Sequence, residues 1–80
     1  MTPETLRRIG EILWGERWFT ALATALGVSQ RTVRRWASGT YPVPHEWHAP
    51  ILRLVAEGIE RIDEQRAELA ELYRALSGER

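Results

Sequence analysis

Gln30, Arg31, Arg34 and Arg35 are the residues whose types and spacing point most directly to chemistry. With Val33 at about 0° on a helical wheel and about 100° per residue, Trp36 falls at about 300° and Ala37 at about 40°, whereas Arg34, Arg31 and Arg35 fall at about 100°, 160° and 200°. The three guanidiniums therefore share one face opposite Trp36, and Gln30 flanks that face near its start. Arginine offers forked donors that match phosphate oxygens or the O6 and N7 of guanine, and glutamine can grip the N6 and N7 of adenine. No acid stands three or four residues from any of the three arginines, so no helical ion pair satisfies them.

The charge distribution supports a polyanionic partner although the chain is neutral overall. Residues 1–44 carry six arginines against three glutamates, and residues 45–80 carry five arginines against eight acids. Between Arg17 and Pro44 there is no acid at all, and every basic residue of the chain is arginine. A basic front half and an acidic back half imply two tasks on one chain.

Eighty residues make one domain, with 44% hydrophobic and 28% charged residues as in an ordinary globular protein. A chain this short buries only about 60–65% of its unfolded surface, so close helix packing or burial against a partner must supplement its core. The absence of cysteine excludes disulfides, thiolate metal sites and cysteine nucleophiles. Apolar runs are too short to span a membrane, and no basic-then-apolar leader directs export, so the cytoplasm is the expected compartment.

Glycine and proline divide the chain into helices. Thr2-Pro3-Glu4 is a helix start, and Leu6, Ile9, Ile12 and Leu13 recur at helical spacing up to Trp14, with Gly15 as the stop. A second short helix is predicted from Trp18 to Leu26, with Leu22, Ala23 and Leu26 inward and Gly27 closing it. Ser29 caps a third, which ends before Ser38-Gly39. Pro42 and Pro44 make residues 40–44 a loop. A last helix starts between Glu46 and Pro50 and runs to about Leu76, with Ser77-Gly78 as its stop. The predicted architecture is all-α: a helix-turn-helix core of three to four short helices in residues 1–44, then a long helix in residues 45–80 that packs on the core and dimerises.

The stretch Leu22-Ala23-Thr24-Ala25-Leu26-Gly27-Val28-Ser29-Gln30-Arg31-Thr32-Val33-Arg34-Arg35-Trp36-Ala37-Ser38-Gly39 resembles the helix-turn-helix of the lambda-repressor-like (Cro/CI, or Xre) family of small prokaryotic and phage regulators. Leu-Ala, Leu-Gly-Val-Ser, Thr-Val, Arg-Trp and the final Gly carry the likeness, which with its flanks covers about residues 6–44, roughly half the chain. Physical reasons agree with it: Gly27 gives the tight turn its freedom, Ala23 lets the helices approach, and Val28, Val33 and Trp36 anchor the third helix from beneath. The resemblance implies that Gln30, Arg31, Thr32 and Arg35 read bases in the major groove, with Arg34 touching a base or a phosphate. It also implies that Ser29, Ser38, Thr40 and Tyr41 contact the DNA backbone together with amides at the start of the second helix. Arg17, just before that helix, is a further expected phosphate contact. The family usually opens its second helix with glutamine; Phe19 stands there, so that contact is lost or passes to Thr20.

Other constellations carry less. Trp14, Trp18, Trp36 and Trp47 could stack on single-stranded bases, but each sits at an apolar-patterned or element-end position and reads as packing. His45 and His48 have the spacing of two helical metal ligands, with only Glu46 beside them, so no metal and no cofactor is expected. There is no lysine, the sole aspartate is Asp63 on a charged helix face, and no paired acids mark a cleft, which argues against an enzyme.

In the last helix Leu52, Val55, Ile59, Ile62, Arg66, Leu69, Tyr73 and Leu76 follow a 3-4-3-4-3-4-3 spacing, a heptad seam with one polar interruption. Ile51 and Leu54 broaden its first turns and can pack on the core. The flanking residues Ala56, Gly58, Asp63, Gln65, Ala70 and Leu72 lack complementary charges, which argues against a long parallel zipper and for close helix pairing, with the direction left open. The acids of this helix oppose anionic membranes and DNA alike. The expected function is a homodimeric, sequence-specific transcriptional repressor that binds an inverted-repeat operator in double-stranded DNA. The alternative from another class is an antitoxin or adaptor whose acidic helix grips a partner protein.

Overall fold

The computed structural model describes residues 1–78. It is all-α, with three short helices, α1 (Pro3–Trp14), α2 (Trp18–Leu26) and α3 (Gln30–Ser38), followed by the long α4 (His48–Gly78). Single 3-10 turns, Gly15–Arg17 and His45–Trp47, lead into α2 and α4. Glu79 and Arg80, the end of the expected 45–80 segment, lie outside the described residues.

Local chemistry sets the boundaries of the short helices. The Thr2 hydroxyl accepts the Thr5 N–H at 3.1 Å and Pro3 occupies the first helical position of α1. Gly27 ends α2 in the left-handed region at φ 73°, with its N–H directed at the carbonyls of Ala23 and Thr24. Ser29 caps α3 by accepting the Thr32 N–H at 3.1 Å. α3 runs one residue further than expected: Ser38 is its last helical residue, and only Gly39 takes the left-handed conformation that stops it. α4 likewise continues through Ser77 and Gly78 instead of stopping near Leu76. Gly78 has no positive φ, and one glycine costs a helix only about 1 kcal/mol, too little to end it alone.

The core joins all four helices through Leu6 of α1, Trp18, Leu22 and Ala23 of α2, Val33, Trp36 and Ala37 of α3, and Ile51 of α4. Among the described residues no polar side chain is buried with them, so the core is held by apolar burial and close packing. Trp14 and Trp47 pack against this cluster while half-buried, and the Trp36 and Trp47 rings meet at 6.1 Å. Of the apolar residues at helical spacing in α1, Ile12 is 64% exposed, because the face of α1 turned to its neighbours carries Leu6, Ile9, Gly10 and Leu13–Trp14, and Ile12 lies beyond the edge of that stripe.

α4 has two faces. Ile51 and Gly58 are buried and Leu54 and Val55 half-buried, a stripe spaced 3-1-3 that packs on the core. The expected seam is centred about 50–70° further round the helix. Val55 belongs to both faces. From Ile59 to Gly78 every residue is exposed, so two-thirds of the helix stands free of the core and the molecule measures 56 × 22 × 20 Å.

Two glycines let helices close up, with different consequences. A Cβ on Gly10 would run into the six-membered ring and Cγ of Trp18, a buried indole stacked on Phe19 at 4.2 Å. A Cβ on Gly58 would meet a terminal methyl of Leu13, which can rotate away. Gly10→Ala is therefore expected to lower the unfolding free energy by about 1–3 kcal/mol despite the better helix propensity of alanine, whereas Gly58→Ala changes it by less than about 1 kcal/mol. Urea denaturation distinguishes the two, and a Gly10→Ala variant more stable than the parent would contradict this packing.

Candidate nucleic-acid interface

α2, the Gly27 turn and α3 form a helix-turn-helix in which α3 lies with Val33, Trp36 and Ala37 buried and Gln30, Arg31, Arg34, Arg35 and Ser38 exposed. This division follows the sequence period, so the arginine face points outward as the wheel predicts. Those five exposed residues line a shallow basic groove of about 360 Å³ on the outer surface of α3.

Two of the arginines rest on aromatic rings. The Arg35 guanidinium lies over Tyr41 with 5.3 Å to the ring centroid, and Arg34 lies over Phe19 at 6.0 Å. Such contacts restrict long side chains and reduce the rotamer entropy lost when they bind. Tyr41 is held in turn, because its backbone N–H donates to the Arg35 carbonyl at 3.3 Å. Arg31 lies over neither ring.

The expected backbone-contacting hydroxyls of Ser29, Ser38 and Thr40 lie in two hydroxyl pairs, the first shared with Thr32, an expected base reader. Ser29 and Thr32 are linked hydroxyl to hydroxyl at 2.9 Å at the start of α3, and Ser38 and Thr40 at 2.8 Å at its end, where Ser38 also donates to the Arg35 carbonyl. In the Ser29–Thr32 pair one hydroxyl hydrogen remains free to donate. Ser38 gives its hydrogen to the Arg35 carbonyl and Thr40 gives its own to Ser38, so that second pair must exchange one of these bonds to donate to a phosphate. All but Thr32 are exposed. Thr32 is half-buried on the flank toward Trp36. It lines an apolar notch of about 410 Å³ with Arg35, Trp36, Tyr41, Pro42 and Pro44.

Arg17 and Thr20 are exposed at the opening of α2. Arg17 occupies the N-cap position of that helix without a side-chain capping bond, and no acid stands in the first turn. α1 and α3 are capped by hydroxyls; the first amides of α2 are not.

No protein family, curated protein or solved structure matches this chain. Its own geometry must carry the functional reading.

Sequence reasoning did not find the roles of Phe19 and Tyr41 as platforms for Arg34 and Arg35. Phe19 was legible only as a departure from glutamine, since the fifteen positions separating it from Arg34 carry no local signal of contact. The His45 and His48 rings lie side by side, with centroids 6.3 Å apart, and no cluster of three metal-binding side chains occurs among the described residues. No helix among them is long and apolar enough to cross a membrane.

Proposed function

We propose that this protein is a sequence-specific regulator of transcription, a homodimeric repressor of the lambda-repressor-like kind. It binds an inverted-repeat operator by inserting α3 into the major groove. The observation that carries the reading is the outward face of α3: Gln30, Arg31, Arg34 and Arg35 project from a rigid helix-turn-helix, in a segment free of acids from Arg17 to Pro44. A short helix with an apolar underside and an exposed row of forked donors is what groove reading requires. The uncapped start of α2 beside Arg17 supplies amides for a phosphate, and the Ser38–Thr40 pair and Tyr41 flank the far end of the reading helix. Repression follows from occlusion of a promoter, which a binding domain can achieve without an effector domain.

The exposed length of α4 supplies the pairing surface, and twofold pairing doubles the phosphate contacts. The same exposed, acid-bearing helix is the feature that favours the second reading, an antitoxin or adaptor. Mass measurement of the purified chain separates the two: a stable lone dimer fits the repressor, and a chain stable only with another protein fits the adaptor.

Selection of bound sequences from a random DNA pool tests the central claim. Enrichment of an inverted repeat with guanine in each half is expected, and a pool that stays random would refute sequence reading. Salt provides an independent check. The logarithm of affinity should fall linearly with the logarithm of salt concentration, by about 0.9 per phosphate neutralised, despite zero net charge. Salt-independent binding would remove the arginine–phosphate contacts from the account.

A further inference from the structure

We propose that two copies of this chain pair antiparallel along α4, about a twofold axis at Glu64, so that both cores hang from the same side of the helix pair. This deepens the homodimer reading above and rests on it.

The register comes from the seam itself. Its 3-4-3-4-3-4-3 spacing reads the same from either end and has position 64 as its midpoint. An antiparallel pair centred there gives every seam residue a seam mate: Leu52 meets the partner's Leu76, Ile59 the partner's Leu69, and Ile62 the partner's Arg66. Most of these side chains stand open to solvent in the single chain, at 54% for Leu52, 57% for Ile59, 65% for Leu69 and 69% for Leu76. A shift by one heptad in either direction leaves apolar layers at one end without mates.

Charge selects the same arrangement. Arg66 is the one polar residue in the seam, and Asp63 is the only aspartate in the chain. Two ideal helices about 9–10 Å apart in this register place the Cβ atoms of Arg66 and the partner's Asp63 about 6 Å apart, the reach of a direct ion pair. The twofold repeats the contact, and the two pairs form an alternating cluster at the centre of the interface. In a parallel pair Arg66 faces its own copy across the seam, and the flanking residues Gly58, Gln65 and Leu72 offer it no acid. Like charges in a seam are disfavoured, so the parallel form is selected against.

The position of the core on α4 makes the antiparallel form useful. The core packs on the Ile51–Gly58 stripe, about 50–70° from the seam, and of the seam residues it partly covers only Val55, which leaves the rest open to a second helix. An antiparallel twofold runs perpendicular to the helices and puts that flank of both on the same side of the pair. A parallel twofold runs along them and puts the cores on opposite sides. In the proposed register the two stripes are about 29 Å apart along the pair, close to the roughly 34 Å between successive major-groove faces of one duplex.

The absence of cysteine allows a direct test. Ile59→Cys and Leu69→Cys alter exposed side chains and leave the core intact. In the proposed register each new thiol lies about 15 Å along the axis from its own copy but in the same layer as the thiol of the other variant. Under mild oxidation each variant alone should stay largely uncrosslinked, and a re-equilibrated mixture should yield the covalent heterodimer. Self-crosslinking of each variant, with no gain on mixing, would overturn the antiparallel register while leaving a dimer in place. A monomeric mass for the unsubstituted chain is a separate failure, that of the homodimer reading itself. Charge exchange reads the same geometry: Asp63→Arg and Arg66→Glu should each weaken self-association by about tenfold or more, and mixing the two should restore it by re-forming both pairs across the axis. No restoration on mixing would refute the Asp63–Arg66 contact.

Discussion

Ile59→Asp and Leu69→Asp are each expected to convert the protein from dimer to monomer. Both side chains are more than half exposed in the single chain, at 57% and 65%, and both lie beyond the last residue of α4 that touches the core. Neither substitution removes an intramolecular contact of the α1–α3 core, so helical content and the thermal transition of that core should survive. In the proposed register position 59 faces Leu69, and the one seam cation within reach, Arg66, is already held by the partner's Asp63, so the new carboxylate can only compete for a charge that is taken. Leaving such a charge desolvated costs several kcal/mol, a factor of about a thousand or more in association. Operator affinity should fall with it, because each half-site is then held alone instead of at the effective concentration its twin provides. Light scattering on the purified variants checks the mass, and circular dichroism checks that the fold is retained. A dimer mass unchanged in both variants would refute the pairing surface.

The helices were legible in the sequence because their ends are fixed by short-range chemistry. Thr2, Gly27, Ser29 and Gly39 each act within four residues of their own position, and the structure uses each as a cap or stop. Faces were legible where one neighbour decides them. Val33, Trp36 and Ala37 are buried against the rest of the core, and the arginines point away, as a single period of about 3.6 residues requires. Ile12 shows where this reasoning stops. Hydrophobic spacing identifies an apolar stripe but not its buried width, which depends on how far α2 and α4 reach around α1. The half-buried Val55 has the same cause, since it lies between a face turned to the core and a face turned to solvent. Its period alone assigns it to both.

The candidate interface was legible in its residue types and less so in its mechanics. That Arg31, Arg34 and Arg35 share a face follows from counting. That Arg34 rests on Phe19 and Arg35 on Tyr41 depends on the angle at which α2 and α3 cross and on the path of the 40–44 loop, neither of which leaves a periodic trace. The consequence is a division of labour among the three arginines. Arg34 and Arg35 are partly fixed in direction before any ligand arrives, whereas Arg31 is placed by its helical position alone.

That division shapes the last prediction. Arg31 and Arg35 lie one helical turn apart on the exposed face of α3, close enough for both to reach base edges within a single half-site. Each changed to alanine should weaken binding to the selected operator by roughly 1–3 kcal/mol, and weaken binding to unrelated DNA much less. Arg17→Ala should instead weaken all sequences about equally and reduce the salt slope by about one phosphate, because a backbone contact carries no sequence information. Tyr41→Leu is the finer probe. It removes the ring beneath Arg35 but keeps the guanidinium, so it should cost less on the operator than Arg35→Ala does, and the further loss on adding Arg35→Ala should be smaller than in the parent. Titrations of each variant against the operator and a scrambled duplex at one salt concentration give all of these differences. Arginine variants that lost specific and non-specific binding to the same extent would reject base reading by α3. A Tyr41→Leu effect fully additive with Arg35→Ala would show that the ring does not orient that guanidinium on DNA.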